Sequence, residues 1–512
     1  MSESCGNPAA EVDALMPKRA RFDRSDQCVK CKLNRGNLVV RHAVYCRDCF
    51  APLVATRFRK AFEPYINHYP DGPRRSNLKP SGDLLVALSG GLGSTVLLDL
   101  VHRTYLSKKS SSETKGGKEH PRKDKVWKKV RVCHIEIADA FPGLRDRTEE
   151  VRSVVSRYEG FEFVPLRLQD AFDPAWWKSV SGSTSESPPD FLVDLSNEEL
   201  LLSDPASPSS APLLTLQNYL RSLPTPTAVP TSIATLIRIL LIYTAHSSGC
   251  SHLLLGTSLT SLSISLISSL SQGGGFVVPQ ASQEEWVPPR VPPVDDNVKA
   301  SWRGEVRIIR PLKEVGMKEC AAWAWWNQLP VVGKAKLPGT TSTINGLTKD
   351  FIVGLEKDYP STVSTIARTV GKLAPKGEAG DRCILCELPA QSAVQAWKAR
   401  ISIRSRSGDA APLSALSLSP LLCYSCHTTL TSRSSRSAVP TKAGAPPVAS
   451  PIVHLPVWSA AHLVHRGPRS IHTNAAAAGG EMHRKEDEEV WERKKLNPEA
   501  MKVAVSEFLL DE

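Results

Sequence analysis

The chain has 512 residues, more than one hydrophobic core usually fills, so it is expected to divide into two or three units. Lysine and arginine number 64 against 52 aspartate and glutamate, a formal charge of +12 that suits a polyanionic partner without identifying one. The first residues are polar and partly acidic, and the most apolar stretch, 232–245, carries Arg238 and falls short of a membrane span. The expectation is therefore a soluble, cytoplasmic protein with no membrane association.

Residues 1–24 read as a disordered N-terminus. A module at 25–75 follows, built on Cys28, Cys31, Cys46 and Cys49. Fourteen residues separate the two Cys-x-x-Cys pairs and include Asn34, Gly36 and Asn37, enough for a turn and a short hairpin that brings four sulfurs to one tetrahedral zinc. A disulfide or a redox pair is the alternative, although no βαβ context makes either pair thioredoxin-like. Lys30, Lys32, Arg35, Arg41 and Arg47 crowd around these cysteines, either as contacts to a nucleic-acid backbone or as an ordinary solvated face.

From 80 to 345 apolar runs alternate with helix-like segments. Strands are predicted at 84–88, 130–137, 161–168, 251–257 and 306–312. Helices are predicted after four of them, and a long one runs through 231–245. This alternation argues for an α/β fold, a parallel sheet with helices on both faces. Polar, Pro/Ser-rich stretches near 107–125, 179–230 and 279–300 read as surface insertions or partly disordered loops.

A helical segment and a second quartet occupy 346–430. Cys383 and Cys386 are followed after thirty-six residues by Cys423 and Cys426, a spacing that lets both pairs close on one ion across a Ser/Ala-rich loop insertion. His427 reads as a bystander. Residues 431–495 read as a low-complexity tail, and 496–512 as a terminal docking helix. Cys133, Cys250 and Cys320 are isolated and read as small buried hydrophobes.

The chemistry concentrates between the first strand and its helix, where Ser89, Gly90, Gly91, Gly93, Ser94 and Thr95 form a glycine-rich loop. Backbone N–H groups there face outward at the positive end of a helix, which suits phosphate. No lysine follows the glycines, so this is not a Walker A loop. The match of 87–91 to a nucleophile elbow would need a late, rigidly held histidine, and His454, His462 and His465 fall in the tail. The loop instead resembles the Ser-Gly-Gly-x-Asp-Ser motif of ATP-dependent pyrophosphate-loop enzymes, with Gly93 where the acid would stand. Active relatives that thiolate tRNA also carry paired acids after a later Leu-x-Gly strand, where this chain has Thr260 and Ser261. A metal over the phosphates needs such oxygen ligands.

With both quartets, LVALSGGLGST, SLISSLSQGGGF, RPLKEV at 310–315, DFIVGLEKDYPSTVSTIARTVGKL at 350–373 and the terminal FLLDE, the chain resembles the cytoplasmic tRNA 2-thiolation protein 2 family. The resemblance implies an adenine-nucleotide-hydrolase-like, degenerate pyrophosphate-loop domain flanked by two four-cysteine zinc modules, and a non-catalytic subunit with no catalytic residues of its own. It implies a heterodimer with a catalytic thiolase subunit that adenylates the wobble uridine of the tRNAs for Lys, Glu and Gln, sulfur coming from a thiocarboxylated ubiquitin-like carrier. The basic residues around the first quartet would then contact tRNA, and ATP binding by this chain is doubtful. Two other readings stay open: a zinc-containing tRNA or nucleotide-binding scaffold unrelated to sulfur transfer, and an active thiolase using Asp99 or Asp139 as a substitute acid.

Overall fold

The computed structural model describes residues 27–40, 43–67, 78–107, 126–182, 190–203, 211–278, 280, 283, 285–286, 305–333, 337, 343–372, 379–391, 394, 417–432 and 452–464. All belong to the unit Met1–Gly467. Arg41, His465, the expected disordered N-terminus at 1–24 and the expected docking helix at 496–512 lie outside the described residues, as does most of the expected insertions at 107–125 and 279–300.

The first cysteine region folds as an antiparallel hairpin of β1 (Leu38–Val40) and β2 (Ala43–Tyr45), followed by α1 (Arg47–Phe62). Along α1, Phe50, Val54, Phe58 and Phe62 recur every four residues, so they share one face, and all four are buried. They join the core under the main sheet. The module is thus moored by its helix.

The five predicted strands form β3 (Asp83–Ala87), β4 (Val130–Glu136), β5 (Phe161–Arg167), then, after β6 (Leu192–Asp194) and β7 (Leu202–Ser203) outside this sheet, β8 (Cys250–Leu255), the edge strand β9 (Glu285–Trp286) and β10 (Arg307–Ile309). Their order is β5-β4-β3-β8-β10-β9, parallel throughout except that β9 runs against β10. The intervening helices are α2 (Leu92–Val101), α3 (Thr148–Val155), α4 (Pro174–Ser181), α5 (Pro212–Ser222), α6 (Ala228–Ser247), α7 (Leu259–Ser271) and α8 (Met317–Trp326). Successive strand residues point to opposite faces. Leu84, Val86, Val132, Leu254 and Ile309 pack with Val96 of α2, Val151 of α3 and Trp323 of α8, while Leu85, Cys133, Leu253 and Ile308 pack with Leu241, Ile242 and Ala245 of α6. Both faces are covered, which is why these strands read as nearly continuous apolar runs.

α6 is longer than the apolar stretch in the sequence suggests. Its 20 residues are long and apolar enough to cross a membrane by length and composition, which corrects the expectation that this segment falls short. Its surroundings are protein: Ile239 and Leu240 sit in one core cluster, Leu241 and Ile242 in another, and Arg238 donates to the Cys386 carbonyl.

Beyond the sheet, α9 (Ile344–Asp358) and α10 (Pro360–Gly371) pack on α7 through Ile352, Val363 and Leu266. The second cysteine region contains β11 (Ala379–Arg382), β12 (Pro389–Gln391) and α11 (Tyr424–Thr431), and β13 (Ile452–His454) comes last. Two segments differ from the sequence reading for one shared reason. Within 179–230, expected as an insertion, β6, β7 and α5 bury Val193, Leu202 and Leu216. Within 431–495, expected as a low-complexity tail, β13 and the helical residues 457–464 bury Val453 and Trp458. Ile452–His454 pairs antiparallel with Leu192–Asp194, so each segment supplies the ladder and apolar cover that the other lacks alone.

Candidate metal centres and the loop beside them

The sulfurs of Cys28, Cys31, Cys46 and Cys49 all lie within 4.8 Å of one another. A tight turn sets the first pair: Cys28 N–H donates to the Asn34 carbonyl at 2.8 Å, and Lys32, in the left-handed region at φ 55°, returns its N–H to the Cys28 carbonyl at 2.8 Å. The β1–β2 hairpin brings the chain back, and Cys46 stands at the N-cap of α1 with Cys49 in its first turn. Against the cost of burial, backbone N–H groups of Cys31, Cys46 and Lys30 bring the Cys28 thiol down to about 6. Burial and the neighbouring sulfurs push Cys49 up to about 12. Four thiols this close cannot all ionise unaided, and a cation among them relieves the repulsion.

Cys383, Cys386, Cys423 and Cys426 repeat the arrangement, again within 4.8 Å, and all four are buried. Glu387 N–H donates to the Cys383 carbonyl at 2.7 Å, and Glu387 is left-handed at φ 54°. Cys423 caps α11, its sulfur accepting from the Cys426 N–H at 3.5 Å. Against burial, the hydrogen bonds of the other three cysteines hold the Cys383 thiol well below the usual range, and the bond to Cys383 holds Cys423 and Cys426 well above it. His427, expected as a bystander, is fully buried with its ring nitrogens on the Glu198 carbonyl and the Thr431 hydroxyl.

Between β3 and α2, Gly90 adopts φ 72°, a conformation glycine reaches at low cost, and its carbonyl accepts the Gly333 N–H at 2.9 Å. Gly91 is the N-cap of α2. Much of the loop's polarity is spent internally: the Ser94 and Thr95 hydroxyls both donate to the Gly91 carbonyl, at 2.9 and 3.0 Å, and Ser89 Oγ lies 3.2 Å from Ser94 Oγ. Ser89, Gly91, Gly93 and Ser94 line a cavity of about 750 Å³ that extends past α6 and α7 to Cys386, Cys423 and Cys426. Gly90 and Thr95 do not line it.

This loop occupies the topological switch point. The chain runs outward from β3 through β4 to β5 on one side and continues at β8 on the other, so a ligand crevice should open at the carboxyl ends of β3 and β8. There the two loops meet backbone to backbone. A Cβ on Gly93 would lie 2.2 Å from the Gly256 carbonyl oxygen, and one on Gly256 would lie 2.5 Å from Ser94 Cα. The place where an active loop would carry its carboxylate has no room for a side chain. Both suggested substitute acids are engaged elsewhere. Asp99 is buried, pairs with Arg103 at 2.9 Å and accepts from Trp323 Nε1 at 2.8 Å, and Asp139 pairs with Arg167. Thr260, at the later acid position, is fully buried, donates to Glu356 at 2.8 Å and accepts from Met317 N–H.

Of the basic residues around the first quartet, Lys30, Lys32, Arg35 and Arg47 are exposed. Arg47 is partly committed, donating to the Trp326 carbonyl at 2.9 Å.

The family model described as cytoplasmic tRNA 2-thiolation protein 2 matches residues 343–428, the stretch from α9 through the second quartet. Curated relatives of that name match over most of the chain. The Phaeosphaeria nodorum protein is 25% identical over 421 residues, covering 80% of this chain and 96% of its own. The human protein is 26% identical over 449 residues, covering 79% and 80%. Over these stretches the chain is similar to the cytoplasmic tRNA 2-thiolation protein 2 family. Among solved structures, a U34-tRNA thiolase of Methanococcus maripaludis with its [4Fe-4S] cluster is 16% identical with a TM-score of 0.42, covering 76% of this chain and all of that one.

The family motifs do not disclose the groups that hold the loops in place. Glu136 at the end of β4 accepts from the N–H groups of Ile137, Ala138 and Arg147 at 2.7 to 2.9 Å. Burial opposes its charge, but His134 and these donors lower its pKa to about 2. His134 Nδ1 lies 2.8 Å from the Leu88 carbonyl, just before the loop. His-x-Glu ending a buried strand was the available signal for both.

Proposed function

We propose that this chain is a subunit of the cytoplasmic tRNA 2-thiolation complex that leaves ATP cleavage to a catalytic pyrophosphate-loop partner. The observation that carries the reading is the backbone contact between Gly93 and Gly256 at the switch point, which fills the position where a metal-binding carboxylate would stand. Similarity to that family supports tRNA 2-thiolation as the reaction class; within it the proposed substrate is the wobble uridine of the tRNAs for Lys, Glu and Gln, with sulfur from a thiocarboxylated ubiquitin-like carrier. In this role the chain supplies tRNA-binding surface and the contacts of a heterodimer.

Both quartets fit zinc. Zn–S bonds of about 2.3 Å in a tetrahedron put sulfurs roughly 3.8 Å apart. Cys31 and Cys46 stand 3.8 Å apart, and Cys386 and Cys423 stand 3.7 Å apart. A cubane cluster, with each cysteine on a different iron, would spread the sulfurs further. Zinc in each quartet would act as a structural cross-link.

Purified alone, the chain should release no pyrophosphate from ATP with tRNA and magnesium. Gly93→Asp should restore none and should lower stability, because its Cβ meets backbone. Cells lacking the chain should lose wobble thiouridine by mass spectrometry, and a pyrophosphate-loop protein should co-purify with the tagged chain. Turnover by the isolated chain, or unchanged thiouridine without it, would overturn the reading.

A further inference from the structure

α8 ends in Trp323-Ala324-Trp325-Trp326, and its three rings have different fates. Trp323 is buried and bonded to Asp99. Trp326 packs edge-on against Phe50, with centroids 5.3 Å apart. Trp325 is 76% exposed. It lines an open cleft of about 920 Å³ with Asn37 and Arg47 of the first cysteine module, Leu92 at the start of α2, Gln328 and Val331. Leu92 and Val331 also line the cavity at the glycine loop, so the two spaces adjoin.

A tryptophan held in water on a rigid helix keeps a large π-face unburied, and such rings occur where a partner covers them. The charge around it selects the partner. Among the described residues lining the cleft there is a guanidinium, Arg47, and no carboxylate, and the adjoining module exposes Lys30 and Lys32. An aromatic platform with a guanidinium beside it suits single-stranded nucleic acid, where bases stack on the ring while the backbone follows the positive charge.

We propose that Trp325 is a stacking platform for an unpaired RNA base, with Arg47 and the exposed lysines of the first cysteine module taking the flanking phosphates. This rests on the tRNA reading above and locates where the RNA enters. The test is the affinity of the full chain for an unmodified tRNA transcript and for its anticodon stem-loop, at several salt concentrations. Trp325→Ala should weaken binding roughly tenfold to a hundredfold, the range for one lost base stack, with an unchanged salt slope. Trp325→Phe should retain most of the affinity. Lys30→Glu with Lys32→Glu should lower affinity together with the slope. The ring is exposed, so the melting temperature should stay put in both Trp325 variants. If the wild-type chain bound neither RNA, the tRNA reading itself would fail. If it bound both and Trp325→Ala bound equally well, only the platform would be overturned. Loss of the co-purifying protein partner with RNA affinity intact would likewise overturn it, assigning the ring to a protein interface.

Discussion

The two cysteine quartets share a plan and differ in their surroundings. In each, the first pair sits on a tight turn whose next residue is left-handed, Lys32 or Glu387, and the second pair opens a helix with its leading cysteine at the N-cap, Cys46 or Cys423. The first quartet is a surface device. Cys31 and Cys49 are partly exposed, Val29 and Leu33 stand out in solvent, and the core is reached by α1 and by Leu38 and Val40 of β1 rather than by the cysteines. The second is part of the core: all four cysteines belong to the largest apolar cluster, with Leu418, Leu422 and Trp458 packed around them. The same donor set therefore holds together a small polar module in one place and a large apolar one in the other, and loss of metal should have different reach in each.

The largest expected effect is Cys423→Ser. A structural zinc site contributes on the order of 10–16 kcal/mol in small peptides, comparable with or above the roughly 5–15 kcal/mol that stabilises a whole domain. Loss of one thiolate inside the main cluster should abolish the cooperative thermal transition or leave the protein insoluble. A melt within a few degrees of wild type would show that this module is peripheral after all.

Next is Trp458→Ala in the helical residues 457–464. Trp458 is fully buried and its Nε1 donates to the Leu385 carbonyl at 3.1 Å, while the neighbouring Ser459 hydroxyl donates to Ile384 and His462 meets Glu387 at 3.0 Å. Truncation of a buried tryptophan costs about 3–5 kcal/mol. Chemical denaturation should show that loss while any metal content stays at wild-type level, because no cysteine of either quartet has been touched. A change under about 0.5 kcal/mol, the usual range for surface substitutions, would mean that this segment does not stay docked in solution.

Cys28→Ser should act more locally. The variant should lose metal from the first quartet and protease resistance around 27–49, while the main transition shifts little, since Phe50, Val54, Phe58 and Phe62 still hold α1 against the sheet. Graded chelation should empty this quartet before the second, whose sulfurs are covered. Simultaneous loss of both would break the contrast between the modules.

The contrast also sorts what could be read from the sequence. Both quartets and the five parallel strands were legible because each signal is local: a fixed cysteine spacing, or an apolar run long enough to be buried on both faces. The pairing of β13 with β6 was not legible, since it joins residues about 260 apart through two three-residue strands whose partners no local pattern announces. The tail's low complexity on either side of 452–464 hid a segment that carries Trp458, and the polar flanks of 179–230 hid α5. At the glycine loop, the sequence displays the missing acid of Gly93 but gives no sign that Gly256 closes against it, a contact set by how β3 and β8 align.

The smallest effects compare the two left-handed residues themselves. A non-glycine residue at φ near +55° carries roughly 1–2 kcal/mol of strain, part of which glycine returns through its greater freedom in the unfolded chain. Lys32 is exposed, so Lys32→Gly should raise the stability of the first module by up to about 1 kcal/mol. At Glu387 the same relief should be outweighed. Its carboxylate is buried, accepts from Tyr243 at 2.5 Å and meets His462 at 3.0 Å, so Glu387→Gly removes a charged acceptor from both and leaves them only their longer mutual contact, at 3.3 Å. Removing one partner from a buried hydrogen bond costs about 1–3 kcal/mol for each group stranded. The two substitutions should therefore differ in sign: slower chelator-driven metal loss from the first quartet, and a lower melting temperature for the second. Equal and small gains in both would mean that the Glu387 contacts contribute nothing beyond its backbone, and that the second module is held by its metal and apolar packing alone.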